Sequence, residues 1–477
     1  MSTSLELSPA GETGAHPPPP GFWSSVREAL RGSHQDYTDG PVGRSILLLS
    51  VPMVLEMAME SVFAVVDIFF VSRLGADAVA AVGLTESLLA LVYALAMGLG
   101  IGATALVARR IGEKNPEGAA HAAVQAITLA LVISAILGIA GSLLAPRLLA
   151  LMGASPEVIR TGTGYARVML GGEAAIIILF VVNAIFRGAG DAAIAMRVLW
   201  LANLINIVLC PCFIFGLGPF PQLGVTGAAV ATTIGRSTGA AFAIWRLTRP
   251  DGRIPVGRRH LALDFRVIGQ ILRLSGTATL QMLIGTASWI GLARIVATFG
   301  STALAGYTVG LRVIVFALLP SFGLSNAAAT MVGQALGAGK PDRAERAVWK
   351  ACLFNLVFLG VVGLAFVVLA GPIIRLFSTD PEVVRHGSSA LRVVAAGFPL
   401  YAYGMVLTQS FNGAGDTWTP TWINLAVFWL FEIPLAYFLA QALGPLGVFL
   451  AITIAFSTLA VVSGLIFRRG KWKTKVV

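Results

Sequence analysis

Twelve long apolar segments most constrain how this 477-residue chain can fold. A bilayer core about 30 Å thick takes about 20 helical residues to cross, and each segment is at least roughly that long. Backbone amides in lipid must be satisfied internally, which favours helices for segments of this length. The sequence predicts an all-α polytopic membrane protein with spans at about 45–72, 78–108, 118–145, 158–186, 192–215, 224–247, 267–298, 303–335, 344–370, 383–411, 417–440 and 446–467.

The distribution of charge predicts the orientation of these spans. The residues are 56% hydrophobic and 12% charged, with a net charge of +11 and a mean hydropathy of +0.82. If the N-terminus is inside, 24 of the 34 Lys and Arg residues lie on the cytoplasmic side. By the positive-inside rule both termini are then cytoplasmic. The positive charge is a topology signal, and we expect the lipid bilayer, not nucleic acid, as the partner.

The two ends of the chain are predicted to lie outside the spans. Residues 1–44 are polar with a proline run at 17–20, and they indicate a disordered or surface-lying cytoplasmic tail rather than a signal peptide. Residues 21–31 fit a short amphipathic helix, and residues 468–477 form a basic cytoplasmic tail. Cys210, Cys212 and Cys352 are odd in number and lie in apolar segments, so no disulfide framework is expected.

An internal repeat organises the spans into two halves. A shift of 225 residues superposes four separated motifs, including Asn115-Pro116 on Lys340-Pro341 and Gly-Ala-Gly-Asp at 188–191 on the same motif at 413–416. Six spans precede a basic linker and six follow it, so the halves share one orientation, as in parallel-repeat transporters. We predict an N-lobe at 45–248, a linker at 249–266 and a C-lobe at 267–467.

Three acids lie within the first apolar segment, at Glu56, Glu60 and Asp67. At about 100° per residue they fall within roughly 40° of one another around a helix. Carboxylates in hydrocarbon are costly, so this face should border the bundle interior or a wet cavity and form an ion or proton site. Alternatively, Glu56 caps or snorkels near the cytoplasmic end. The repeat places uncharged residues opposite these acids: Gln281, Gly285 and Leu292.

Other polar residues in the spans leave more alternatives open. Asn203, Asn206 and Cys210 share one helix face before Pro211, and they fit either a site wall or helix-to-helix hydrogen bonding. Asp191 and Asp416 fit helix N-caps better than ligands. Three further acids could contact substrate, snorkel, or pair with Arg236 or Arg312: Glu86, Glu173 and Glu432.

Five motifs in this order resemble the multidrug and toxic compound extrusion (MATE) family of cation antiporters, over nearly all of residues 45–467. They are VDIFFVSRLG at 66–75, the two Gly-Ala-Gly-Asp motifs, NLINIVLCP at 203–211, GVTGAAVAT at 224–232 and GQALGAG at 333–339. The resemblance implies two six-helix lobes around a central cleft, with a cation site in the N-lobe. The pattern is closer to the DinF-like branch.

The resemblance also implies roles for single residues. Asp67 matches the first-helix acid of the family, Asn206 the fifth-helix Asn and Thr232 the sixth-helix Thr, which would also allow sodium at these three residues. Asn183 and Tyr165 match polar residues lining that lobe. The departures are Cys210 where many relatives have Asp, Glu60 where an amide is common, and Tyr401 near the place of a tenth-helix Asp. Without acids on the seventh and tenth helices, a C-lobe sodium mechanism is disfavoured.

The sequence therefore predicts a secondary active multidrug efflux antiporter. It would export amphipathic organic cations in exchange for protons, or less readily sodium, as a monomer in the cell inner membrane, coupled through Asp67. One alternative is a lipid-linked precursor flippase of the same superfamily, which would favour a strongly cationic cavity. Another is a receptor or channel without coupled transport. No nucleophile, metal or Walker motif is present, so neither enzymatic activity nor a cofactor is expected.

Overall fold

The computed structural model describes residues 21–32, 35–250 and 252–475, apart from the side chain of Ala76, and within these residues it contains helices and no strands. Of the tail predicted at residues 1–44, residues 1–20 lie outside the described part, and residues 35–41 are ordered, with Tyr37 and Thr38 only 3% exposed. The amphipathic helix expected at 21–31 is present as α1. The helices are α1 (Phe22–Arg31), α2 (Val42–Val71), α3 (Ala76–Gly112), α4 (Pro116–Leu151), α5 (Pro156–Gly171), α6 (Glu173–Ala189), α7 (Ala192–Phe215), α8 (Val225–Leu247), α9 (Phe265–Ala297), α10 (Ser301–Gly337), α11 (Pro341–Arg375), α12 (Pro381–Ala396), α13 (Phe398–Gly413), α14 (Trp418–Asn424), α15 (Ile433–Leu443) and α16 (Pro445–Arg468).

In the described part of the chain, twelve helices or consecutive helix pairs are long enough to span a membrane. Within the described ranges, nine helical stretches are long and apolar enough to cross a membrane, and the pair α12 and α13, bent by 60°, makes a tenth. The remaining two units are α2 and α8, of 30 and 23 residues, which carry the charged side chains described below. The predicted all-α architecture of twelve spans is confirmed.

The internal repeat is visible in the positions where helices begin. Four helices of the first lobe start 225 residues before their counterparts, at Ala76 and Ser301, Pro116 and Pro341, Pro156 and Pro381, and Glu173 and Phe398. The fourth and tenth spans were each expected as one helix, but each is broken at an equivalent glycine, Gly172 or Gly397. A Cβ at either glycine would lie within 3 Å of a threonine on a neighbouring helix, so only glycine fits without a shift.

The first helix of each lobe packs partly against the other lobe. Leu49 and Met53 in the first half of α2 belong to the hydrophobic core of the C-lobe, whereas Val71 at its end belongs to the core of the N-lobe. Helix α9 mirrors this arrangement, with Ile271 in the N-lobe core and Leu292 in the C-lobe core. The two lobes therefore exchange the beginnings of their first helices.

Hydrogen bonds between the lobes lie on the side of the molecule that holds both described ends of the chain. Arg109 of α3 donates to the carbonyl of Ala414 at 3.3 Å and of Lys475 at 2.7 Å. Gln334 of α10 donates to the carbonyl of Gly188 at 2.9 Å. Close main-chain packing, with α10 against both α2 and α3, accompanies these bonds. The lobes are thus joined on the side of the termini.

The segment before α2, residues 35–41, is here named the N-terminal strap. Arg343 donates to three of its main-chain oxygens at 2.7–2.9 Å, and Lys340 pairs with Asp39. Burial alone would raise the pKa of Asp36, but hydrogen bonds from Lys114 and Thr38 outweigh it and lower the pKa to about 2. The ionised Asp36 therefore stabilises the fold at any pH above the ordinary aspartate pKa, and this stabilisation is lost as the pH falls toward 2. The strap connects the ends of helices from both lobes.

Labelling of single cysteines should report the orientation of this arrangement. Ser301 and Lys340 flank opposite ends of α10, a helix of 37 residues that is about 55 Å long. In a variant lacking the three native cysteines, an impermeant maleimide added to intact cells should label Ser301→Cys, and Lys340→Cys only after lysis. The reverse pattern would contradict the prediction of cytoplasmic termini.

Candidate functional site

The three acids of α2 all contact side chains of α6, α7 or α8, so the structure places them on one face, toward the interior of the N-lobe. Helix α2 is continuous through Pro52, and the steps of four and seven residues keep the acids on that face. Their surroundings nevertheless differ. Two of the acids are neutralised by arginines, and the third is not.

Glu56 forms an ion pair inside the bundle. Its Oε1 atom lies 2.6 Å from Nη1 of Arg187 and accepts a hydrogen bond from Asn183 at 3.3 Å. Glu56 is 1% exposed, and its Oε2 atom has no hydrogen-bond partner in the described structure. Arg187 lies in the last turn of α6, one residue beyond the predicted end of the fourth span, and neutralises this acid. Glu56 therefore neither caps a helix nor snorkels.

Glu60, whose side chain is 19% exposed, forms a second ion pair, with the buried Arg236 of α8. Its Oε1 atom accepts from Nη2 of Arg236 at 2.5 Å, and its Oε2 atom accepts from Asn203 at 3.0 Å. Arg236 is 2% exposed, and its guanidinium lies 5.0 Å from the centre of the Phe63 ring. A guanidinium so deeply buried requires a carboxylate partner. The sequence had suggested Arg236 as a partner for other acids.

Asp67 has no Lys or Arg partner within the described part of the chain. Its Oδ1 atom accepts a weak hydrogen bond from the thiol of Cys210, with an Oδ1–Sγ distance of 3.6 Å, and the residue is 8% exposed. Tyr165 of α5 is buried within electrostatic range of this carboxyl group. A neutral thiol cannot balance a carboxylate, so this acid favours a proton or an external cation more than its two neighbours do.

Asn206 and Thr232 form a separate pair beside the acids. The amide of Asn206 donates to the Thr232 hydroxyl at 2.8 Å, and Oδ1 of Asn206 is buried with no partner among the described residues. The eight predicted site residues thus all lie in the N-lobe. They divide into Glu56 with Asn183, Glu60, Asp67 with Cys210, Asn206 with Thr232, and the nearby Tyr165.

A central cavity with about 640 Å³ of space, part of it open, lies between the lobes. Its walls include Phe180 and Met57 from the N-lobe and Phe322 and Gln409 from the C-lobe. Arg187 is the only charged residue in its described lining, and Glu56 neutralises it. A neighbouring cavity of about 380 Å³ borders both Glu56 and Glu60. The central space is therefore mainly apolar and carries no excess of positive charge.

The aspartates of the two Gly-Ala-Gly-Asp motifs do not cap helices with their side chains, contrary to expectation. Asp191 occupies the N-cap position of α7 but makes no capping hydrogen bond, and it pairs with Arg253 at 3.0 Å. Asp416 pairs with Lys475 at 3.2 Å and accepts from the Thr419 hydroxyl. Both aspartates attach basic residues to the side of the molecule that holds the chain ends.

The remaining acids in the spans have three different surroundings. Glu86 is exposed on α3 and interacts electrostatically with Arg312 of the opposite lobe. Glu173 is 2% exposed at the start of α6, and its Oε2 atom has no partner in the described structure. Glu432 is 1% exposed and lines a cavity of the C-lobe. No pattern in the sequence distinguished these three acids.

Solved structures of known transporters superpose on nearly the whole chain. The outward-facing conformation of a multidrug resistance MATE family transporter of the MOP superfamily has a TM-score of 0.87 at 28% identity, and the match covers 92% of this chain and 98% of that one. A MOP superfamily transporter from Pyrococcus furiosus, described as having a binding pocket of reverse polarity, has a TM-score of 0.85 at 28% identity, with 94% and 99% covered.

Curated relatives and a family model give the same result from sequence. The probable multidrug resistance protein YoeA of Bacillus subtilis is 29% identical, covering 91% of this chain and 95% of that protein. An FAD transporter of Shewanella oneidensis is 27% identical, with 87% and 92% covered. The MatE family model matches residues 52–212 and 277–438, once in each half of the repeat. The resemblance noted in the sequence is thereby confirmed, and the chain belongs to the MatE family.

Proposed function

We propose that this protein is a multidrug efflux antiporter that exports amphipathic organic cations in exchange for protons, with Asp67 as the coupling residue. The observation that carries the proposal is the contrast among the three acids of α2. Arg187 neutralises Glu56 and Arg236 neutralises Glu60, whereas Asp67 faces a neutral thiol. Asp67 is therefore the acid of this helix whose charge a proton or a substrate cation can compensate.

Antiport follows if proton and substrate favour opposite ends of one conformational equilibrium. In the outward-open state, a proton that binds Asp67 removes the negative charge that attracts the cation, and the substrate leaves. In the inward-open state, loss of that proton restores the charge. The contacts of Arg109, Gln334 and the N-terminal strap, all on the side of the termini, would have to separate in the inward-open state.

The composition of the central cavity supports cationic amphipathic substrates. Aromatic and methionine side chains such as Phe180, Phe322 and Met57 offer apolar and polarisable surface. The relatives include proteins named for multidrug resistance, which supports a broad set of small molecules. Sodium is the less favoured coupling ion, because Asp67 has one thiol neighbour and few oxygen ligands.

Anionic substrates are the second candidate, since one relative is an FAD transporter and a lipid-linked precursor would also carry phosphates. Such substrates require cationic groups in the cavity wall. The described lining of the central cavity provides Arg187, which already pairs with Glu56. The charge of this cavity therefore favours a cation.

Transport in proteoliposomes tests the coupling ion directly. An imposed pH gradient should drive accumulation of ethidium, and the uptake should release protons and collapse on addition of a protonophore. A sodium gradient of equal size at constant pH should give the rate of empty liposomes. Transport that follows sodium and ignores pH would overturn the proton-coupled proposal.

A further inference from the structure

The C-lobe contains a large cavity of its own that Asp67 does not line. It holds about 830 Å³ of space, part of it open, between α9, α13, α16 and the span that contains α14 and α15. Its lining includes one acid, three amides and several aromatic rings. The cavity adjoins the central cavity, because Phe322 and Gln409 line both. A small molecule in the central space would thus be next to this second cavity.

Glu432 is the acid of this cavity and lacks a partner. It is 1% exposed, and no hydrogen bond or ion pair joins its carboxylate to any described residue. It ends the π-helical segment Leu425–Glu432, which lies between α14 and α15. π-Helical segments are rare in proteins, and those that occur often lie at functional sites. An acid without a partner at this depth requires a proton or a cation.

Two further oxygen atoms point to the same kind of ligand. Oε1 of Gln281 and Oδ1 of Asn424 are buried, lack a hydrogen-bond partner in the described structure, and belong to residues of the same lining. No Lys or Arg is found among the described lining residues. The unpaired acceptor oxygens of Glu432, Gln281 and Asn424, with no basic residue beside them in the described lining, make this cavity electronegative.

The aromatic lining shows which class of cation fits. Tyr401 stacks on Phe456 with ring centres 3.8 Å apart, and Trp289 meets Phe456 edge-on at 6.0 Å. Phe428 lines the same cavity. Aromatic faces attract organic cations, and this partly open cavity is larger than an inorganic ion needs.

We propose that this cavity is a second binding site, for a lipophilic organic cation, in which Glu432 balances the charge and Trp289 and Tyr401 hold the apolar groups. The inference deepens the proposed function, because it rests on the export of such cations. It places a substrate contact in the lobe that lacks acids on its seventh and tenth spans. The proton-coupling residue remains Asp67 in the other lobe.

Equilibrium binding of tetraphenylphosphonium to the purified full-length protein tests the site. The wild type should bind two equivalents, and Glu432→Gln should lose one of them or bind it ~10-fold or more weakly, as expected for the loss of a buried charge partner. Glu173→Gln is the matched control, because Glu173 is equally buried but lines none of the cavities described here. The control should bind like the wild type.

A second variant and two further ligands keep the test decisive. Trp289→Leu retains the carboxylate and should weaken the same site ~5-fold through loss of the cation–π contact. Triphenylphosphine oxide, which is neutral, should bind the wild type and Glu432→Gln alike. Unchanged tetraphenylphosphonium binding in Glu432→Gln, or an equal loss of the neutral ligand, would overturn the proposal. If Glu432→Gln loses ²²Na⁺ binding while its tetraphenylphosphonium binding is unchanged, the site belongs to an inorganic ion and the proposal is overturned as well.

The two proposals can fail separately. Asp67→Asn should retain the C-lobe site in the binding assay, whatever happens to transport. If transport ignores the pH gradient while Glu432→Gln still loses one equivalent, the coupling proposal fails and the C-lobe site stands. If transport follows the pH gradient while Glu432→Gln still binds two equivalents, the C-lobe site is wrong and the coupling proposal stands.

Discussion

Replacing Asp67 by Asn should reduce pH-gradient-driven efflux to the rate of empty liposomes while the protein still folds and inserts. Asn has the size of Asp and mimics its protonated form, so the cation loses its counter-charge and the proton loses its binding group. Folding should be preserved, because Asp67 forms no ion pair with any described residue and accepts from them only the weak hydrogen bond of the Cys210 thiol. Ethidium transport in proteoliposomes measures the loss, and elution as a single species on size exclusion measures folding.

Two control variants separate the charge of Asp67 from its surroundings. Asp77→Asn changes an exposed acid at the start of α3 and should transport at the wild-type rate. Cys210→Ala removes the hydrogen bond to Asp67 but keeps its charge, and it should retain gradient-driven efflux with a changed pH dependence. Export by Asp67→Asn at the wild-type rate would show that the coupling role does not belong to Asp67.

Replacing Glu60 by Gln should destabilise the fold by about 3 kcal/mol or more, the usual cost of leaving one charge of a buried pair without its partner. Arg236 is 2% exposed and would keep its charge without the carboxylate. The resemblance to relatives with an amide at this position had suggested tolerance, but the ion pair shown by the structure indicates the opposite. Thermal unfolding monitored with a thiol-reactive dye measures the change.

The double variant Glu60→Met with Arg236→Met should recover most of that stability, because removing both members of the pair leaves neither as an unpaired charge. Glu28→Gln is the matched control, since its ion pair with Arg44 has side chains that are 32% and 27% exposed. An exposed pair contributes about 1 kcal/mol or less. Equal losses from Glu60→Gln and Glu28→Gln would show that the buried pair is not a stabilising contact.

The spans, the repeat and the shared face of the three acids could be predicted because they depend on local patterns, whereas Asn183, Tyr165 and Thr232 were implied by the family resemblance. Apolar length marks a span whatever its neighbours are, and a constant offset of 225 residues marks a duplication. The face that carries Glu56, Glu60 and Asp67 follows from helical spacing alone. Their position against α6 to α8 then needs only the packing of one lobe.

The partners of these acids could not be predicted, because they lie far away in the sequence. Arg187 and Arg236 are 131 and 176 residues from the acids they neutralise, and the count of basic residues had placed Arg187 in a loop. The four-residue spacing of Asn183 and Arg187 on α6 was the available signal. The breaks at Gly172 and Gly397 gave none, because glycine is common in membrane helices. No sequence signal indicated the π-helical segment that ends at Glu432.

The N-terminal strap is recognised through its backbone, and this affects how freely its sequence can vary. Arg343, Lys340 and Arg253 donate to the carbonyl oxygens of five strap residues: Gln35, Tyr37, Thr38, Asp39 and Gly40. Every amino acid offers the same carbonyl, so these acceptors survive almost any substitution within the strap. The donors have no such freedom, because a lysine at 343 could not supply the planar fork of a guanidinium. The main-chain contacts thus tolerate substitutions in the strap, whereas the side chains of Asp36 and Asp39 are needed for their ion pairs with Lys114 and Lys340.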